Sequence, residues 1–415
     1  MSYTNAFMHI LSNKFPAMKY HNFRNYWLGQ SISLIGNFMQ ITALQWLIYT
    51  LTKSALLMGL LGVAQYGPIM CLSLFAGVII DRYPTKKIIL IIQYGYLLQT
   101  LVLTILVWSG HVRYSYVLIL AAFRGIFQSF DQTSKNAFVR ELVEKNDLRS
   151  AIGLNSTIFN TARMLGPAIA VLLMDRFRIE FVFFLDCISF FPMIISLYLI
   201  RAKPFLIKRT EKKILTEIGE GLNHIRQSAA LLGAIFSMLA VGTLIMNFNV
   251  TAPVYADKVF KLGANGYGVL LTSNGAGSLV GALFATQARG NPKLKNLFAL
   301  GLIISFLLAS LCFMYYLPLA VITFFLIGFF VLIFNTTVNS TMQINSSEEF
   351  RGRVMSLYTL ANYGTTPIGN MFAGSIIEKG GPGMGFFICG AVSGISIILT
   401  ILKVSSKKRA NYLAE

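Results

Sequence analysis

Four charged residues lie in segments that otherwise read as apolar helix. Arg124 and Asp131 occur in AAFRGIFQSFDQ, Arg163 in FNTARMLGPAIA and Asp186 in FFLDCISF. A guanidinium presents a planar fork of donors that suits a carboxylate or a catecholate. We therefore predict that at least one arginine binds an anionic substrate while Asp131 or Asp186 carries a proton. In the alternative, the charges are only structural. Arg124 would then pair with Asp131, and Arg163 with Asp186.

The apolar segments of the second half contain no charge and would contribute neutral groups to a cavity. The candidates are amides and one hydroxyl: Asn247, Asn249, Thr251, Asn274, Asn335, Asn339 and Asn362. Each of them could equally form a hydrogen bond between helices. Asn247, Thr251 and the helix-breaking Pro253 predict a mobile gate in this part of the chain.

Motifs for metal binding and catalysis are missing from the sequence. The four cysteines lie in apolar segments without CxxC spacing, and the four histidines are scattered. We therefore expect no metal site, disulfide framework or cofactor. The sequence also has no Ser/His/Asp set, no HExxH and no P-loop, which argues against an enzyme and against ATP as the direct energy source.

The elements that position these residues are long apolar segments. Of the residues, 55% are hydrophobic and 12% charged, and the mean hydropathy is +0.64, whereas soluble domains carry about 25% charged residues. Such segments must be helical, because lipid offers unpaired backbone groups no partner. Twelve runs reach the roughly 20 residues that cross a bilayer. They are 25–50, 55–80, 88–108, 115–134, 151–173, 180–200, 229–254, 266–288, 295–315, 318–340, 354–377 and 384–402.

The distribution of basic residues predicts that both termini are cytoplasmic. Arg124 and Arg163 lie within spans, and 26 of the 35 Lys and Arg residues fall in the inner segments. This asymmetry follows the positive-inside rule. Topology and anionic lipid headgroups explain the net charge of +19 better than nucleic-acid binding does. The outer loops hold only seven basic residues: Lys53, Arg113, Arg176, Arg178, Lys258, Lys261 and Lys379.

The longest inner connection divides the chain into two related halves. We predict a six-helix bundle at 1–200, a cytoplasmic linker at 201–228 and a second six-helix bundle at 229–415. Residues 211–226 have apolar spacing typical of an amphipathic surface helix, although a solvated linker is equally consistent. Arg149 and Arg351 open similar segments about 200 residues apart. Such repeats predict a substrate site between the bundles and alternating access.

The loop after the second span carries a recognisable motif. GVIIDRYPTKK, with Gly77, Asp81, Arg82 and Lys86, resembles the G-x-x-x-D-R-x-x-R-K signature of the major facilitator superfamily. Asp81 could pair with the adjacent bundle in one state only, and such a contact biases a two-state equilibrium. The equivalent stretch of the second half, GALFATQARGNPKLK, has Ala and Thr in place of Asp and Arg. The predicted inner gate is therefore asymmetric.

A closer resemblance extends over nearly the whole chain. NYWLGQSISLIGNFMQ, LTKSALLMGLLG and RGRVMSLYTL resemble the branch that includes bacterial enterobactin exporters and macrolide efflux proteins. The resemblance implies an inner-membrane exporter of small organic molecules, driven by proton antiport. Where many relatives have an aspartate this chain has Asn37, so that position cannot carry the proton.

We therefore expect an all-α, multi-pass membrane protein that is a monomer. It would transport protons and a small-molecule substrate, which would be a siderophore or a drug-like compound. A siderophore or metabolite importer, or a facilitator on the same fold, is an alternative, because helices do not reveal transport direction. A lipid transporter is a further alternative.

Overall fold

The computed structural model describes residues 15–200, 214–287, 293–347 and 350–414. Side chains at 73–78, 81, 214–218, 286–287, 363 and 407–414 fall outside this description. All regular secondary structure within the described ranges is helical. The predicted all-α class is therefore confirmed.

Six α-helices lie within the described residues 15–200. They are α1 (His21–Thr52), α2 (Ala55–Arg82), α3 (Thr85–Trp108), α4 (Tyr114–Leu142), α5 (Leu148–Arg176) and α6 (Ile179–Leu199). Short 3-10 helices, Pro16–Lys19 and Lys145–Asp147, precede α1 and α5.

Eight α-helices follow in the remainder of the described chain. They are α7 (Ile214–Gln227), α8 (Ala229–Leu244), α9 (Phe248–Lys258), α10 (Gly263–Gln287), α11 (Leu294–Ser310), α12 (Leu317–Ile344), α13 (Arg351–Tyr363) and α14 (Thr366–Ala414). The backbone leaves helical geometry at Gly381, where φ is 78° and ψ is 172°, so α14 consists of two helical segments.

Over the described residues, ten stretches of helix are long and apolar enough to cross a membrane. The number of predicted apolar runs, twelve, exceeds this number for two reasons. The charged helix α4 is not among the ten, and α13 and α14 form a single stretch from Arg351 to Ser406. The count of twelve spans in two bundles stays a prediction.

The seventh predicted span is broken at a different residue from the one expected. Helix α8 ends at Leu244 and α9 begins at Phe248, whereas Pro253 is buried inside α9. The prediction of a helix break at Pro253 is therefore wrong. Proline removes one bond, to the carbonyl four residues earlier, and here that is Asn249 in the first turn of α9, so the helix still forms.

The chain divides into two compact units, Met1–Ala43 with Phe75–Thr210, and Leu44–Leu74 with Glu211–Glu415. Helices α1 and α2 thus contribute to both units. The predicted division at 201–228 stays a prediction. The predicted linker helix is present as α7, and within the second unit its Glu220 forms an ion pair with Arg353 at 2.6 Å.

Helices α10 and α12 of the second unit approach each other backbone to backbone. A Cβ atom at Gly277 would collide with the carbonyl oxygen of Phe325, and one at Gly328 with the carbonyl oxygen of Asn274. Small residues allow this close approach, which gives helices in lipid their van der Waals contact. Glycine spacing therefore sets the packing of this pair.

The first unit is closed at one end by the segment before α1. Ala17 and Met18 are buried, and the backbone N–H of Ala17 donates to Ser150 Oγ at 3.3 Å. Lys19 Nζ lies 2.6 Å from Asp147 Oδ2. The hydrogen bond to Asp147 raises the pKa of Lys19 above its ordinary value.

Candidate functional site

Arg124 is the centre of a buried polar network in the first unit. Its side chain is 3% exposed. Nη1 donates to Gln99 Oε1 at 3.0 Å and lies 3.5 Å from Thr100 Oγ1, while Nη2 donates to Asn37 Oδ1 at 2.5 Å. The guanidinium also lies 4.7 Å from the centroid of the Tyr96 ring. Neutral amides and an aromatic face therefore satisfy the cation in this structure.

Asp186 is fully buried in the same network. Its Oδ2 accepts a hydrogen bond from Thr100 Oγ1 at 3.2 Å, and Oδ1 lies 3.4 Å from the Ser189 hydroxyl. No ion pair within 4 Å joins Asp186 directly to Arg124, both of which are described. The Thr100 hydroxyl contacts both groups and links the carboxylate to the cation.

Helix periodicity explains why α1 and α3 supply most of the neutral groups. Tyr96, Gln99 and Thr100 lie three and four residues apart on α3, and Asn37 and Gln40 three apart on α1, so each set shares a helix face. Gln40 Nε2 donates to Gln99 Oε1 at 3.3 Å and to Thr100 Oγ1 at 3.1 Å. The two faces thus meet inside the unit.

A glycine allows α6 to reach this network. A Cβ atom at Gly36 of α1 would collide with the Ser189 side chain and would lie 2.8 Å from Asp186 Oδ1. Any larger residue at position 36 would push α6 away. The absence of a side chain at Gly36 therefore allows Asp186 to pack against α1.

Asp131 is not part of the network. Its Oδ2 accepts a hydrogen bond from Lys135 Nζ at 2.8 Å, one turn along α4. The alternative in which Asp131 pairs with Arg124 is wrong. Asp131 lies two turns away from Arg124 along α4, and Lys135 compensates its negative charge. Arg163 is half-buried on α5 and has interactions of its own. Of the four predicted charges, the structure brings Arg124 and Asp186 together.

Several of the neutral candidates in the second half bond to nearby helix groups. Asn274 Nδ2 donates to the Phe324 carbonyl at 3.1 Å, and Thr251 Oγ1 to the Asn247 carbonyl at 3.2 Å. Asn339 Oδ1 accepts from Gln343 at 2.6 Å. These contacts fit a structural role.

Other candidates have a side-chain oxygen available. The Oδ1 atoms of Asn247, Asn335 and Asn362 are buried and accept no hydrogen bond from the described residues. Asn249 is half-buried. A buried acceptor without a donor is costly, so these amides are the ones best suited to meet a ligand or water.

The signature loop is described only in part. The side chains of Gly77 and Asp81 lie outside the described residues, and Arg82 is exposed. Lys86 Nζ donates to the carbonyl oxygen of Ile200 at 2.8 Å, at the C-terminal end of α6, where the helix dipole favours a cation. Lys86 therefore stabilises a helix end, and the gating role of Asp81 stays a prediction.

A cavity of about 830 Å³ lies in the second unit between α2 and α14. None of the predicted site residues lines it. Its lining is apolar apart from Ser375 and Lys379: Val63, Gly67, Met70, Cys71, Pro367, Ile368, Met371, Phe372, Ser375, Ile376, Lys379, Met384 and Ile388. Sequence reasoning did not find it, because the lining residues come from two segments 300 positions apart in the chain.

Sequence reasoning also missed the neutral part of the network. Gln40, Gln99 and Thr100 are uncharged, and isolated neutral polar residues in apolar segments do not by themselves indicate a functional site. The signal that could have revealed them is the helical spacing of polar residues on α3.

The profile of the transmembrane secretion effector family matches residues 12–412. The chain belongs to this family of the major facilitator superfamily. Membership makes it a multi-pass membrane transporter and not an enzyme. The predicted family is thereby confirmed.

Three related proteins match over most of their length. The chain is 25% identical to the uncharacterized MFS-type transporter YfiS of Bacillus subtilis, with 92% of this chain and 93% of that protein covered. It is 23% identical to the staphyloferrin A transporter of Staphylococcus aureus, with the same coverage. It is 24% identical to macrolide efflux protein A of Streptococcus pyogenes, covering 90% and 95%.

Solved structures share the fold. The nucleoside transporter NupG superimposes with a TM-score of 0.72 at 12% identity, covering 92% of this chain and 99% of that one. This similarity bears on the fold alone. The chain therefore has the architecture of a superfamily transporter.

Proposed function

We propose that this transporter exports a small organic anion in exchange for protons by alternating access. It would do so as a monomer of twelve spanning helices in two bundles, in a bacterial inner membrane with both termini cytoplasmic. The names of the siderophore and macrolide transporters among its relatives support a siderophore or drug-like substrate. The basic asymmetry of the loops supports the orientation.

The link between Arg124 and Asp186 through Thr100 carries the proposal. The single hydroxyl proton of Thr100 has two acceptors within reach, Asp186 Oδ2 at 3.2 Å and Gln99 Oε1 at 3.4 Å. An ionised Asp186 holds that proton. When Asp186 itself is protonated, Thr100 can donate to Gln99, which is also the acceptor of Arg124. Protonation of the carboxyl thereby changes the bonding of the cation.

The charges of the first unit favour an anionic substrate. Asp131 is neutralised by Lys135. Arg124 is bonded to neutral groups and makes no direct ion pair with Asp186. Buried charge in a membrane is normally compensated, and a substrate carboxylate or catecholate would supply the compensation. Arg163, half-buried, is the more accessible of the two arginines.

Transport into everted vesicles tests this proposal. Vesicles containing the wild type should accumulate a carboxylate siderophore, a catecholate siderophore or a macrolide when the vesicle interior is more acidic than the outside. Asp186→Asn should abolish the dependence on the gradient, and Arg163→Lys should weaken uptake of an anionic substrate because the bidentate fork is lost.

Asp131→Asn is the matched control, because it neutralises an aspartate of the same unit that is paired outside the network. Gradient-driven accumulation that is equal in Asp186→Asn and wild type would remove Asp186 from coupling. Accumulation without any gradient would favour a facilitator.

Two alternatives predict other outcomes. A siderophore or metabolite importer would accumulate substrate in right-side-out vesicles, and the name of the staphyloferrin A transporter states no direction. The apolar cavity between α2 and α14 favours a lipid transporter, which would move labelled phospholipid between leaflets of proteoliposomes.

A further inference from the structure

The turn between α1 and α2 has little room to bend. Helix α1 ends at Thr52 and α2 begins at Ala55, so two residues join them. Lys53 adopts a φ of 49°, a left-handed conformation that non-glycine residues rarely occupy. The surrounding contacts must therefore hold this turn in place.

A carboxylate on α9 holds the α1 side of the turn. Asp257 Oδ2 accepts a hydrogen bond from Tyr49 Oη at 2.7 Å and lies 3.6 Å from Lys53 Nζ. The Lys53 ammonium in turn lies 4.8 Å from the centroid of the Tyr49 ring. Tyr49 is 1% exposed, and a buried tyrosine hydroxyl needs a partner. Asp257 supplies it from a distant part of the chain.

A second carboxylate, on α14, holds the α2 side. Glu378 Oε2 accepts from the backbone N–H groups of Ala55 at 2.7 Å and Leu56 at 3.3 Å. The side chain of the local residue Ser54 accepts from the backbone N–H of Leu57, at 3.3 Å. The first N–H groups of a helix lack internal partners and favour a negative charge. Glu378 therefore caps α2 from another helix, 323 residues along the chain from Ala55.

The helices below this turn are packed without space between them. A Cβ atom at Gly59 would lie 2.6 Å from the carbonyl oxygen of Asn370, and one at Gly374 would lie 2.6 Å from that of Ala55. Trp46 also stacks on Tyr267 with ring centroids 6.5 Å apart. The two carboxylates thus lie at the end of a close helix–helix contact.

We propose that Asp257 and Glu378 form a latch that closes the predicted outer face of the transporter. It rests on the alternating access of the proposed function. Residues 44–74 belong to the second unit in this structure. In the opposite state, the ends of α1 and α2 separate from α9 and α14, and water replaces the carboxylates as partners of Tyr49, Lys53 and the α2 N-terminus. Carboxylates are well hydrated, which makes the latch reversible.

Cysteine accessibility tests the latch without any substrate. In a background with the four native cysteines replaced by serine, Met58→Cys introduces a thiol at a position that is 0% exposed on the packed face of α2. In proteoliposomes, Asp257→Asn combined with Glu378→Gln should raise its reaction rate with a membrane-impermeant maleimide about tenfold, by shifting the population toward the open state. Each single change should have a smaller effect.

Two controls separate opening from other causes. Glu180→Gln makes the same chemical change at a carboxylate whose partner, Arg178, is two residues away, and it should leave the rate unchanged. Ile89→Cys, fully buried in the first unit, should stay unreactive unless the protein unfolds.

An unchanged rate at Met58→Cys in the double variant would overturn the latch. An equal increase at Ile89→Cys would also overturn it, because the effect would then be unfolding. The assay does not depend on transport. It can therefore test the latch even if the proposed substrate or proton coupling proves wrong.

Discussion

Each half of this transporter is stabilised internally, and the two halves use different kinds of contact to do so. The first half buries Arg124 and Asp186 in a network of amides and hydroxyls contributed by α1, α3, α4 and α6. The second half brings α10 and α12 together through Gly277 and Gly328. Intramembrane charge is costly and tends to be functional, whereas glycine contacts are a means of packing. The comparison favours a chemical role for the charges of the first half, while the second half combines close packing with buried amide oxygens that accept no hydrogen bond from the described residues.

The largest expected effect comes from splitting the buried charges. Arg124→Gln or Asp186→Asn alone should destabilise the protein by about 3 kcal/mol, because each change leaves the buried hydrogen-bond partners of a charged group unsatisfied, while the double variant should recover part of the loss. Thermal denaturation of the detergent-solubilised protein measures this. Additive losses in the double variant would mean that Thr100 does not couple the two groups.

The next effect tests the packing of the second half. Gly328→Ala should destabilise the protein by about 1–3 kcal/mol, because the new methyl group forces α12 away from the Asn274 carbonyl. Gly153→Ala is the control. It lies on exposed helix surface with nothing within 4 Å of the added Cβ, and it should be neutral or stabilising by up to about 1 kcal/mol. Equal effects of the two changes would disprove the glycine contact.

A smaller effect is expected from the bridging hydroxyl. Thr100→Val keeps the volume but removes the group between Arg124 and Asp186, and it should cost about 1–2 kcal/mol. Thr100→Ser should retain most of the stability. The pH dependence of transport should shift in Thr100→Val and much less in Thr100→Ser. Identical profiles in both variants would leave the hydroxyl with a purely structural role.

The smallest effect sharpens the assignment of charges within the first half. Asp131→Asn breaks an i,i+4 pair with Lys135, and such helix pairs contribute about 0.2–0.5 kcal/mol. The melting temperature should barely change. A loss as large as that of Asp186→Asn would indicate that Asp131 belongs to the buried network after all.

The sequence alone determined the helical class, the location of the apolar segments and the family. Lipid imposes these features, because each crossing segment must satisfy its own backbone hydrogen bonds and be apolar over about 20 residues. The linker helix at α7 was predictable for a similar reason, since apolar spacing with a period of 3.6 residues is visible within one segment.

Only the tertiary structure decided which charged groups meet. Asp131 is closer to Arg124 in the chain than Asp186 is, yet the partner of Asp131 is Lys135 and Asp186 reaches Arg124 through Thr100. Spacing along one helix fixes which residues share a face, but it does not fix which faces of different helices are brought together. That choice depends on close contacts such as the one at Gly36.

The same limit applies to the turn after α1. Asp257 and Glu378 lie more than 200 and more than 320 residues from their partners, Tyr49 and Ala55, and neither carries a sequence motif. The break before α9 likewise depends on packing, since the proline that marks it in the sequence lies inside the helix. Local chemistry specifies the helices of this protein, and contacts between distant segments specify its sites.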